Sequence, residues 1–106
     1  MPRTTVGPRR DIQHRPELEA HARGLLGDTA QVYTMGPCQI VITREPTEGW
    51  HLSISCADRY PTWDEIADAR YALLPDDRTF VMVFPPSSEY INVMPYCFHL
   101  YEEATS

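Results

Sequence analysis

Apolar and polar positions change period several times along the chain, and each change marks an element. Leu18, Ala22, Leu25 and Leu26 recur at helical spacing behind Pro16, with Glu17 and Glu19 in the first turn and Gly27 as a stop. This pattern predicts a helix over about 16–26. Residues 31–35 and 38–44 are rich in β-branched side chains and read as two strands joined at Gly36-Pro37. Residues 50–56 alternate. Trp50, Leu52, Ile54 and Cys56 point one way and His51, Ser53 and Ser55 the other, as in a half-buried antiparallel strand. The segment 45–49 between these strands reads as a hairpin loop, ending in a glycine suited to positive φ.

A second helix is predicted over 63–74. Thr62 and Glu65 have capping-box spacing, Asp64 adds charge that favours the first turn, and Pro75 ends the helix. Its stripe of Trp63, Ile66, Ala67, Arg70, Leu73 and Leu74 is expected to meet a sheet. Residues 79–84 are nearly all apolar and read as a central, well-covered strand. Residues 90–94 form an extended apolar segment, and 97–102 a last strand. The order excludes a βαβ series with glycine-rich crossovers. The expected fold is α+β: a mainly antiparallel sheet of about five strands, with two helices on one face. Residues 1–15 are expected to form a loose tail and 16–106 a single domain.

Charge divides along the same boundary. The chain of 106 residues has a net charge of −6, and its basic residues are all arginine. Residues 1–16 carry four arginines against Asp11, a balance of +3; the rest carries five arginines against 14 carboxylates, a balance of −9. An acidic body disfavours direct nucleic-acid binding. No run approaches the ~18 apolar residues of a membrane span, and the first residues lack the apolar stretch of a secretory signal, so a cytoplasmic location is expected.

Candidate chemistry is sparse. Cys38, Cys56 and Cys97 are separated and lack a Cys-x-x-Cys pair, so they read as small buried hydrophobes, with no metal and no cofactor expected. No His-x-x-x-His, nucleophile elbow, Walker loop or dinucleotide fingerprint is present. His51 and His99 lie on predicted strands and could be sheet neighbours. Side-chain types enriched in binding hot spots gather around the second helix and toward the C-terminus. The expected protein-binding residues are Arg59, Tyr60, Trp63, Asp64, Asp68, Arg70, Tyr90 and Tyr96.

The runs Trp50-His51-Leu52-Ser53-Ile54-Ser55, Arg59-Tyr60-Pro61-Thr62-Trp63-Asp64-Glu65-Ile66, Ala69-Arg70-Tyr71, Tyr90-Ile91-Asn92-Val93 and Phe98-His99-Leu100 resemble a family of small bacteriophage and prophage proteins. The resemblance spans about 49–103. It implies a viral or mobile-element context and carries no catalytic residues. The leading expectation is a non-catalytic accessory protein that binds a host or phage protein, an anti-CRISPR-like inhibitor of host defence working through its acidic surface. One alternative is a small enzyme or nucleotide-binding module using His51, Arg59, Asn92 and His99. Another is a self-associating virion or assembly component, which leaves a homo-oligomer open.

Overall fold

The computed structural model describes residues 11–47, 49–83 and 96–103. Among the described residues six strands form one sheet in the order β1-β2-β3-β4-β6-β5, and every neighbouring pair is antiparallel. The elements in chain order are β1 (Ile12–His14), a 3-10 turn (Pro16–Leu18), α1 (Glu19–Leu26), β2 (Gln31–Met35) and β3 (Cys38–Glu45). They continue with β4 (Gly49–Cys56), α2 (Trp63–Leu73), β5 (Phe80–Val83) and β6 (Tyr96–Glu102). The α+β reading holds, with one strand more than expected. Among the described residues no helix is long and apolar enough to cross a membrane. The apolar segment 90–94 and residues 1–10 of the expected tail lie outside the described residues.

The additional strand, β1, falls within the segment assigned to the tail. Its Ile12-Gln13-His14 is too short and too polar to announce itself, yet Ile12 pairs with Met35 and His14 with Tyr33. Arg15 fastens it: its backbone N–H donates to Val32 O at 2.8 Å and its Nε to Thr34 Oγ1 at 2.9 Å. The arginine that sequence counting placed in a loose basic arm is therefore a structural tie.

Strand alternation builds two unequal cores. One face carries Met35, Cys38, Ile40, Ile42, Leu52, Ile54, Cys56, Phe98 and Leu100, covered by Ile66, Ala69 and Leu74 from α2 and the residue after it. The opposite face holds Val32 and Val41, against which α1 seats Ala22. The helices therefore lie on opposite faces, correcting the one-face expectation. Glu19 anchors α1: its buried carboxylate accepts from Val32 N at 3.2 Å, Arg23 Nη2 at 3.1 Å and His14 Nε2.

The turns follow their glycines. Gly36 has φ 57° in the two-residue β2–β3 turn, and Gly49 has φ 86° at the end of the β3–β4 loop. A Cβ at Gly49 would stand 2.2 Å from Glu102 Oε1, which accepts the Trp50 N–H at 3.0 Å. β5 (Phe80–Val83) is not central: β6 enters between β4 and β5, so among the described residues β5 lies at the sheet edge, with Val81 44% and Met82 56% exposed. An apolar run specifies neither strand order nor cover.

Candidate functional site

The capping box forms as the sequence indicates. Thr62 Oγ1 accepts from Glu65 N at 3.2 Å, and Thr62 N donates to Glu65 Oε1 at 2.8 Å. Arg59 then grips the same carboxylate with two parallel bonds of 2.8 and 2.9 Å. Glu65 is thereby drawn inward, 4% exposed, and α2 turns Glu65, Ile66 and Ala69 toward the sheet. The expected sheet-facing stripe is thus rotated: Trp63 is 64% exposed, Ala67 is exposed and Arg70 is half-buried.

This rotation opens a groove of about 360 Å³ between α2 and the edge strand β5. Trp63, Ala67, Arg70 and Tyr71 form one wall, Arg78, Thr79, Phe80 and Met82 the other, and Ile66 and Leu100 lie at its base. Trp63 stands edge-on over Phe98 with ring centroids 5.6 Å apart. Arg70 is committed internally: it donates to Pro75 O at 3.0 Å and Arg78 O at 2.8 Å, and its guanidinium lies over both Tyr71 and Phe80. It braces the α2–β5 connection that shapes the groove.

The predicted binding residues divide accordingly. Trp63 and Arg70 line the groove, and Tyr60 meets Tyr96 edge-on at 5.2 Å beyond it. Asp64 is exposed and Asp68 half-buried on the adjacent stripe of α2. Arg59 holds the Glu65 carboxylate while its side chain stays 42% exposed. Tyr90 lies outside the described residues. Phe80, Met82, Thr79, Arg78 and Leu100 were missed, because reading 79–84 as a covered central strand hid an edge that faces solvent.

His51 and His99 do meet, on the opposite sheet face. Their rings stack at 4.8 Å, with His51 Nε2 2.6 Å from His99 Nδ1. Thr43 Oγ1 lies 3.4 Å from His51 Nδ1, and Cys97 Sγ 3.3 Å from His99 Nε2. Burial, and then the neighbouring ring, hold His51 down to about 4; burial also lowers His99 and pushes the Cys97 thiol up to about 11. A neutral imidazole pair beside an unionised thiol is poor nucleophilic equipment. Of the four-residue alternative, Arg59 is tied to Glu65 on the α2 side of the sheet, away from His51 and His99, and Asn92 lies outside the described residues.

A third cluster lies in the main core. Cys38 and Cys56 oppose each other across β3 and β4 with sulfurs 3.2 Å apart, and Glu65 completes a buried group. The bonds from Arg59 hold the Glu65 carboxyl down at about 2. Burial, with Cys56 and Glu65 close by, raises the Cys38 thiol.

Residues 41–105 match a family described as a domain of unknown function, DUF7694. No curated protein and no solved structure matches the chain.

Proposed function

We propose, for a chain that belongs to the DUF7694 family, that it is a non-catalytic protein-binding module whose contact surface is the α2–β5 groove. The observation that carries this reading is Trp63, 64% exposed at the lip of a groove whose wall Arg70 braces, with its ring backed edge-on by Phe98. Tyr71 and Met82 are 46% and 56% exposed in the same groove. Aromatic side chains in a well-supported pocket are the usual anchors of protein interfaces. Asp64 and Asp68 lie one stripe away on α2, and the body carries a −9 balance. The fitting partner is a protein segment that inserts an apolar side chain between Trp63 and Met82 and places Lys or Arg beside Asp64 and Asp68. That the partner belongs to a host or phage complex, including a defence complex, is the finer form of the proposal and rests on the sequence resemblance.

The test is site-specific photo-crosslinking in cells that carry the protein, with the photoreactive residue at exposed Ala67, and at Gln13 on the far sheet edge as control. The expected result is one protein captured from position 67, reduced at least tenfold by Trp63→Ser and weakened by added salt. Equal capture from position 13, or no loss with Trp63→Ser, overturns the reading. Capture of a second copy of the chain overturns it in favour of self-association.

A further inference from the structure

Cys38, Cys56 and Glu65 come from β3, β4 and α2, and one ligand atom from each lies within 4.8 Å of the other two. All three side chains are buried. Backbone register places the two sulfurs side by side, and the cap and Arg59 fix the carboxylate above them, so the cluster is preorganised by three independent constraints. We propose that Cys38, Cys56 and Glu65 form a binding site for a thiophilic divalent cation of the zinc type.

Three arguments support it. Thiolates bound at about 2.3 Å to one tetrahedral ion lie about 3.8 Å apart. The observed 3.2 Å therefore needs only a small χ1 adjustment at either cysteine. Charge closes as well: two thiols release two protons to solvent, two metal–sulfur bonds and one metal–oxygen bond form, and the ion, two thiolates, Glu65 and Arg59 then sum to zero. A buried cluster tolerates that sum where it would not tolerate a net charge. The ordinarily high pKa of a buried thiol is no obstacle once the ion itself supplies the opposing charge. The cluster also lies one side chain from solvent on its carboxylate side: Arg59, which holds Glu65, is 42% exposed while Glu65 is 6%. Three protein ligands leave a fourth tetrahedral position for a water. Once bound, the ion clamps α2 to β3 and β4 and so fixes the helix that presents Trp63.

The experiment is cobalt(II) and zinc(II) titration of the reduced full chain. Cobalt is expected to give thiolate-to-metal charge-transfer bands saturating at one ion per chain, displaced by zinc. Cys97→Ser is expected to leave them unchanged, and Cys56→Ser to weaken binding at least a hundredfold. The zinc-edge X-ray absorption of the unsubstituted chain reads the site without any variant. Two sulfurs at about 2.3 Å with oxygen at about 2.0–2.2 Å are expected. Failure to bind cobalt, a shell without two sulfurs, or dependence on Cys97 overturns the proposal. So does isolation of the chain with a Cys38–Cys56 disulfide that, once reduced, binds no metal.

Discussion

Acidification is expected to destabilise the fold through the buried His51–His99 pair. Burial and the neighbouring ring hold His51 down to about 4, against its ordinary 6.5. Between these values the unfolded chain takes up a proton that the folded chain refuses. Stability is therefore full above about pH 6.5, falls as the pH drops, and levels off for this group near pH 4. At about pH 5 the loss from His51 alone is about 2 kcal/mol, and the lowered His99 adds to it in the same direction. For a domain of this size that is on the order of 10 °C in melting temperature. The lowered carboxyls of Glu19, Glu65 and Glu102 act in a separate window: their contribution is present above about 4.5 and is lost only as the pH falls below it. The assay is a series of thermal or urea melts from about pH 7.5 to about pH 5, comparing the wild type with His51→Gln. His14, His21 and His99 are common to both chains, so the difference between the two curves isolates His51. A wild-type melting temperature that is flat over this range, or an equal fall in His51→Gln, refutes the reasoning.

Three further perturbations probe the elements that position the sites. Phe98→Ala removes a core ring that is 2% exposed and supports Trp63; a loss of about 3–5 kcal/mol in urea unfolding is expected. Gly49→Ala forces a non-glycine residue to φ 86° and drives a methyl group into the Glu102 carboxylate, so a melt should show destabilisation of more than about 1 kcal/mol. Glu19→Ala strips the buried Val32 N–H of its acceptor and releases Arg23 and His14. Hydrogen exchange should then show α1 and the start of β2 losing protection by about 1–3 kcal/mol, while β3 and β4 keep theirs.

Local signals were legible where a few adjacent residues decide the structure. Thr62 and Glu65 announced the start of α2 because a capping box is a contract between positions three apart, and Gly49 announced its turn because positive φ favours glycine. Strand order was not legible. β4 and β6 pair with His51 opposite Tyr101 and Ser53 opposite His99, and nothing in either segment reveals that β6 inserts between β4 and β5. That insertion makes Thr79, Phe80 and Met82, read as part of a covered strand, the wall of a groove, which is why Phe80 and Met82 escaped a reading that found Trp63. Edge position also rewards pairing that composition hides, as the polar β1 shows.

The sulfur cluster falls between these cases. Reading 45–49 as a hairpin already makes Glu45 the partner of Gly49, and counting seven residues back along one strand and seven forward along the other brings Cys38 opposite Cys56. The alternation that turns Trp50, Leu52 and Ile54 inward turns Cys56 inward as well. The pair was therefore implicit in a loop assignment, although the two cysteines are 18 residues apart and match no metal-binding spacing. Glu65 could not be added by counting. It enters only because Arg59, six residues earlier, pulls a capping carboxylate into the core, a packing outcome that depends on Ala69 letting the helix approach the sheet. Spacing rules for metal sites assume that one loop or helix carries several ligands. Here β3, β4 and α2 each contribute a single ligand, so the only sequence trace of the site is the hairpin register.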